Sequence, residues 1–304
     1  MNFSDLTTLK IGGPIKGFVS AKNEEQLLNN LDLVRIKKEP FIVIGGGSNL
    51  LVSDQGFNGI VIKNEVTGIK KAGLQLTVKG GVILQDLVDY ANHYGLSGLE
   101  SLAGIPGTVG GAIYGNAGAY GQTISDHITS VKSFSINNSE VTNVDKTACE
   151  FSYRYSAFKK SRNVILEALF SLNQGDGGQL KTISTETIKK RAVKYPAGIK
   201  CPGSFFKNLV AAELSPEILA RIPKEIIVYG KVPAGSLLER AGAKGDFLGG
   251  IKIAPYHANL FINIGGGSAT DFYNLAKKYV EKVQLMFGVI LEPEVQLINL
   301  PSLT

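Results

Sequence analysis

Residues 41–52 read Phe-Ile-Val-Ile-Gly-Gly-Gly-Ser-Asn-Leu-Leu-Val. The run Phe41–Ile44 has the composition of a buried strand. It stops at Gly45, Gly46 and Gly47, where the backbone can turn through conformations closed to other residues. A second apolar run, Leu50–Val52, follows, and Gly-Phe-Asn-Gly-Ile-Val-Ile-Lys over 56–63 reads as a further strand. Upstream, residues 23–38 place Leu27, Leu28, Leu31, Leu33 and Val34 at helical spacing among polar side chains. Helix, strand, Gly-rich loop and strand together make a small α/β unit.

Working outward, residues 68–84 alternate through Leu74, Leu76 and Val78 as a strand does, and 85–95 read as a helix ended by Gly95. Strand-like alternation returns over 128–145 and 163–172. The polar, Gly-rich stretch 172–181 marks a boundary, followed by a helix over 182–194. Residues 211–231 carry Pro216 and Pro223 and read as an inserted surface segment. A helix is expected over 269–286, with Ser268 as its N-cap and Asp271 completing a capping box, and then a strand over 289–298. The expected division is 1–66, 67–178 and 179–304.

The 304 residues are 44% hydrophobic and 19% charged, the balance of a globular chain. The net charge of +6 is spread through short pairs such as Lys37-Lys38, Lys159-Lys160 and Lys189-Lys190. Nucleic-acid binding would call for concentrated basic runs, whereas a scattered excess suits a small polyanion in a cleft. Two cysteines, Cys149 and Cys201, exclude a cysteine-rich zinc framework, so no metal site is expected. The N-terminus lacks a signal-peptide pattern and no stretch is long and apolar enough for a membrane span. A soluble cytoplasmic protein with no membrane partner is expected.

Five segments could carry chemistry. Gly45–Leu51 could face a pyrophosphate with backbone N–H groups, although a glycine triplet taken alone reads first as an ordinary tight turn. The tract 99–121 holds seven glycines from Gly104 to Gly121. It lacks the spacing that opens a dinucleotide-binding helix, but a loop of this length favours a backbone cradle for a large cofactor. Arg154 lies between Tyr153 and Tyr155 in a strand-like context and offers a fork for a carboxylate or phosphate; an Arg stacked on aromatics reads the same way. Ser204 in Gly203-Ser204-Phe205-Phe206 lacks nucleophile-elbow spacing, and no base is evident nearby in sequence, which disfavours a serine hydrolase. Glu292 and Glu294 would share one face of a strand, and an exposed acidic edge is the alternative.

Taken in order, the stretches GGGSNLL, AGIPGTVGGA, NAGAYG, YR followed by S and FK, GSFFKN, AGAKG, HANLFIN and LEPEV resemble the UDP-N-acetylenolpyruvoylglucosamine reductase family across nearly the whole chain. The resemblance implies a p-cresol-methylhydroxylase-type FAD fold: two α/β subdomains hold the flavin and a third α/β domain binds the substrate. It implies NADPH-dependent, FAD-mediated reduction of a UDP-linked enolpyruvyl sugar. It places FAD on Gly45, Gly46, Gly47, Ser48, Asn49 and Leu50, and on Gly107, Thr108, Gly111, Ala112 and Gly118. It gives catalysis to Arg154, Ser204 and Glu294, and substrate binding to Tyr153, Arg154, Lys207 and Asn208. A UDP-sugar as the only partner and a monomeric state are also expected. The short span from Arg154 to Ser204 matches the family type that lacks a tyrosine-bearing insertion. Thr7 (for Asn), Leu209 (for Pro) and the long 211–231 segment depart from the family pattern. An alcohol-oxidising relative of the same flavin fold and a non-catalytic nucleotide-binding module are the rival readings.

Overall fold

The alternating and helical patterns resolve into separate hydrophobic cores in the computed structural model, which describes residues 1–303. Two compact units result. One, the mid-chain unit, comprises Lys16–Gly46 and Asn58–Val193; the other, the terminal unit, comprises Met1–Ile15, Gly47–Phe57 and Lys194–Thr304.

In the mid-chain unit a three-stranded sheet runs in the order Ile15–Ala21, Phe57–Asn64, Phe41–Ile44. The last two strands are parallel, with Ile44 opposite Lys63. The helix Glu24–Ile36 starts where Asn23 accepts a hydrogen bond from the Gln26 amide at 2.9 Å. It buries Leu27, Leu31 and Val34 with Ile62, Phe134 and Leu166. A five-stranded antiparallel sheet has the order Glu140–Asp145, Ile128–Ser135, Val164–Ser171, Gln75–Lys79, Ile69–Ala72. The expected single strand over 68–84 is thus a hairpin, because Gly73 at φ +60° turns the chain. The helix Leu84–His93 packs Leu84, Leu87 and Val88 against Leu76, Val78 and Phe170, and Gly95 at φ +62° follows its end. Gly177–Lys194 is helical from five residues earlier than expected, its first turn supported by the Asp176 carboxylate accepting from the Gln179 amide at 2.7 Å.

Glu24 accepts from Lys79 at 2.6 Å and from Lys132 at 2.5 Å, and Lys79 also pairs with Glu167 at 2.6 Å. Burial raises the Glu24 pKa, but the hydrogen bonds and charges of the two lysines outweigh it and hold it below the ordinary 4.5. A depressed carboxyl pKa stabilises the fold above the unfolded-state value and loses that contribution as pH falls through the folded-state value. Glu24→Gln is therefore expected to cost about 1 kcal/mol or less near neutrality, the scale of a partly exposed network. The difference from the parent should shrink in urea titrations below about pH 4.5; a difference that grows with acid would contradict the assignment.

The terminal unit joins both ends of the chain. Gln296–Ile298 pairs in parallel with Leu50–Val52, placing Leu297 opposite Leu51. Only these three residues of the expected 289–298 strand form one; Pro293 lacks the N–H a continuous ladder needs. The helix Ala269–Phe287 has the expected capping box between Ser268 and Asp271. Asp54 adds a second anionic cap, accepting from the Ala269 and Thr270 amides at 2.7 and 2.9 Å. The core gathers Leu9, Leu51, Phe205, Phe206, Phe261 and Phe272, with Phe261 and Phe272 stacked at 5.1 Å. The 211–231 segment is more than a surface insertion: its Ile222 and Ile226 are buried in the same core. Leu209, the departure from the family's Pro, opens a short strand that pairs with Val232. No described helix is long and apolar enough to cross a membrane.

Candidate active site

The mid-chain unit folds the Gly-rich tract onto the loop after Phe41–Ile44. Within the tract, Thr108 starts an unforeseen helix, Val109–Tyr114. Neighbouring backbone pins its start: Leu84 N–H donates to Gly107 O at 3.0 Å, Val109 N–H to Val82 O at 2.8 Å and Gly110 N–H to Gly80 O at 2.8 Å. A Cβ on Gly45 would stand 2.1 Å from Thr108 Oγ1, and one on Gly46 3.0 Å from Gly107 Cα. The two segments expected to hold the cofactor therefore meet at van der Waals distance, and only because glycine is present.

Beyond that helix, Asn116 donates through Nδ2 to Ser152 O at 2.8 Å. Its Oδ1 is buried without a donor among the described residues, as is Oε1 of Gln122. Buried carbonyl oxygens rarely stay unpaired, so these two suit donors on a bound molecule. Neither residue was among those the sequence singled out; Asn116 stands only as part of the motif NAGAYG.

Arg154 occupies a tight turn, where a strand was expected. Ser152 and Tyr155 exchange backbone hydrogen bonds around it, and Arg154 itself has φ +57°. That left-handed conformation is strained for a non-glycine residue and persists only when its surroundings hold it. Here the guanidinium donates to Gly118 O at 3.1 Å, Lys159 donates to Arg154 O at 2.8 Å, and Ser156 donates to Tyr114 O at 2.8 Å. The guanidinium also lies 5.3 Å from the centre of the Tyr153 ring.

In the terminal unit the segments around Ser204 and Glu294 are laced together. Phe205 N–H donates to Asn259 O at 2.9 Å, Glu294 N–H to Phe205 O at 2.7 Å and Lys207 N–H to Glu292 O at 2.9 Å. The Asn259 side chain both accepts from the Phe206 amide and donates to its carbonyl, each at 2.8 Å, so it serves as a substitute strand. Ser204 and Glu294, 90 positions apart, are thus carried on adjoining backbone. Lys207 pairs with Glu292 at 2.9 Å, and Asn208 accepts from the Ala234 amide at 3.1 Å. Asn49 donates to Glu294 O at 3.2 Å, and Gly47 turns at φ +62° against Leu6 O, where a Cβ would stand 1.9 Å away. Ser204 Oγ lies 2.9 Å from the Tyr195 hydroxyl, a partner the sequence reading missed. Burial first, then the charges of Lys194 and Lys244, lower the pKa of His257 and keep it neutral. Burial likewise raises both cysteine pKa values, that of Cys149 to about 11, which leaves inert thiols.

The glycine-framed loops of the mid-chain unit lie in a segment whose family match defines an FAD-binding protein. Residues 15–145 match the FAD binding domain family, and residues 195–298 match the C-terminal domain family of UDP-N-acetylenolpyruvoylglucosamine reductase. A UDP-N-acetylenolpyruvoylglucosamine reductase of Solibacter usitatus is 41% identical over 96% of this chain and 94% of its own length. That of Carboxydothermus hydrogenoformans is 38% identical over 96% and 91%. The crystal structure of the Thermus caldophilus reductase superposes with a TM-score of 0.76 at 28% identity, covering 98% of this chain and 97% of its own. The chain belongs to the UDP-N-acetylenolpyruvoylglucosamine reductase family.

Proposed function

We infer that the protein reduces UDP-N-acetylglucosamine enolpyruvate to UDP-N-acetylmuramate, an FAD-mediated, NADPH-dependent step of peptidoglycan precursor synthesis. The observation that carries this reading is the match to reductases of this name along almost the full length of both chains. The residues present fit FAD: Gly45 and Gly46 let the two glycine-rich segments close onto each other at Thr108 and Gly107, and Asn116 and Gln122 hold buried acceptors in the same unit. The cofactor-binding set is proposed as Gly45–Leu50 with Gly107, Thr108, Gly111, Ala112 and Gly118. Residues 1–66 and 67–178 are proposed as the flavin-binding parts and 179–304 as the substrate-binding part. A cytoplasmic monomer completes the reading.

Bound FAD supplies the hydride that passes from the nicotinamide to the substrate double bond. Arg154, a permanent cation with fork geometry, binds the substrate carboxylate. Glu294, acting as a hydrogen-bond donor, is proposed to help polarise that carboxylate as negative charge develops on the adjoining carbon, an effect worth most when the groups are already in place. Ser204 delivers the proton to that carbon; a hydroxyl suffices because the developing carbanion is a strong base. Tyr153, Lys207 and Asn208 hold the nucleotide sugar.

Incubation with NADPH and UDP-N-acetylglucosamine enolpyruvate is expected to give a product heavier by two hydrogens, read by mass spectrometry. FAD-loaded protein that leaves this substrate unchanged, or whose flavin is bleached by an alcohol instead, would overturn the proposal.

A further inference from the structure

Ser204 can act as a proton donor only if its own proton points at the substrate and is replaced after each turnover. We propose that Tyr195 is the positioning residue that meets both needs, by donating its phenolic hydrogen bond to Ser204 Oγ. This inference rests on the role given to Ser204 above.

The two oxygens are 2.9 Å apart, and either could donate. Donation by Ser204 would turn its proton away from the reacting carbon. Donation by Tyr195 leaves that proton available and stabilises the oxygen as it becomes an alkoxide. The phenol is much the stronger acid, so the return of a proton runs downhill from Tyr195 to Ser204. In balance, the Ser204 O–H bond breaks as the substrate C–H bond forms. The Tyr195 O–H bond then breaks as that of Ser204 reforms, and the phenolate takes a proton from water.

The ring is held for this task. Tyr195 packs beside a small apolar cluster of Cys201, Ala254 and Leu260, with Ile199 and Ile262. The same Leu260 forms an isolated bridge with Ser204. Pro196 restricts the Tyr195 backbone to extended conformations, and Ile199 N–H closes a turn onto Pro196 O at 3.2 Å. The rings of His257 and Tyr195 are inclined at 62° with centroids 6.5 Å apart. The Asn259 amide donates to His257 Nδ1 at 3.4 Å. Tyr195 is thus the polar group that addresses the Ser204 hydroxyl.

The test compares Tyr195→Phe, Ser204→Ala and the double variant, each purified with FAD bound and its flavin spectrum checked. In Tyr195→Phe, anaerobic flavin reduction by NADPH should match the parent, and the Kd for the enolpyruvyl sugar nucleotide should stay within about threefold. Reoxidation by that substrate should slow by about 10- to 100-fold, a share of what a general acid contributes. Because Tyr195 acts through Ser204, its replacement should slow Ser204→Ala by less than about twofold. Parental reoxidation in Tyr195→Phe alone would overturn the proposal, as would full additivity of the two losses. Parental reoxidation in Ser204→Ala would instead sink the underlying assignment of Ser204, and the role of Tyr195 with it.

Discussion

Ser204→Ala is expected to slow reoxidation of the flavin by the enolpyruvyl substrate by about 10²–10⁴-fold, the usual contribution of a positioned general acid. Reduction of the flavin by NADPH should be almost unaffected, because no substrate carbon is protonated in that half-reaction. The substitution removes one oxygen from a half-buried position. Backbone bonds through Phe205, Phe206 and Lys207 to Asn259, Glu292 and Glu294 remain, so folding should be preserved. Stopped-flow absorbance under anaerobic conditions separates the two steps. Equal loss in both half-reactions would place Ser204 outside proton transfer.

Gly45→Ala is expected to weaken the binding of FAD. The added methyl would lie 2.1 Å from Thr108 Oγ1, and Thr108 also caps the helix Val109–Tyr114 through the Gly111 amide at 3.4 Å. Thr108 is a short, β-branched side chain whose backbone bridges Ile83, so the clash must displace one of the two segments proposed to hold the cofactor. Overpacking of this kind costs about 1–3 kcal/mol, which is a loss of about tenfold or more in affinity if the displacement falls on the cofactor site. Gly73→Ala serves as the control: Gly73 turns at φ +60° with nothing within 4 Å of the methyl carbon that alanine would add, so it tests backbone strain without a clash. Isothermal titration of the apoprotein with FAD should show the loss for Gly45→Ala alone. Equal affinities in both variants would remove Gly45 from the cradle.

Strong periodicity made some elements legible. The helices Glu24–Ile36 and Ala269–Phe287 lie within a residue or two of their expected bounds, because a broad apolar stripe and a side-chain cap mark each one. Other features depend on distant parts of the chain. Nothing local to Leu50–Val52 announces that its neighbour is Gln296–Ile298, and Leu9 and Ile11 show their core only once the terminal unit is assembled. The helix after Thr108 was hidden by Gly110 and Gly111, which have poor helix propensity; its one readable signal was the Thr108 cap. The strained turn at Arg154 looked like strand because its flanking tyrosines favour strands.

Candidate site residues could be named from motifs, but motifs do not give adjacency. Ser204 and Glu294 are carried on adjoining backbone because Glu294 N–H donates to Phe205 O and Phe206 bridges Pro293, an arrangement with no sequence period. Tyr195 is nine residues before Ser204, with Pro196 and Pro202 between them, and no regular element predicts that the chain doubles back to bring the hydroxyls together.

The most direct test is an anaerobic titration of the purified yellow protein. Addition of NADPH should bleach the flavin absorbance, and subsequent addition of UDP-N-acetylglucosamine enolpyruvate alone should restore it with stoichiometric formation of the lactyl ether. A flavin that stays reduced in the presence of that substrate would contradict the account.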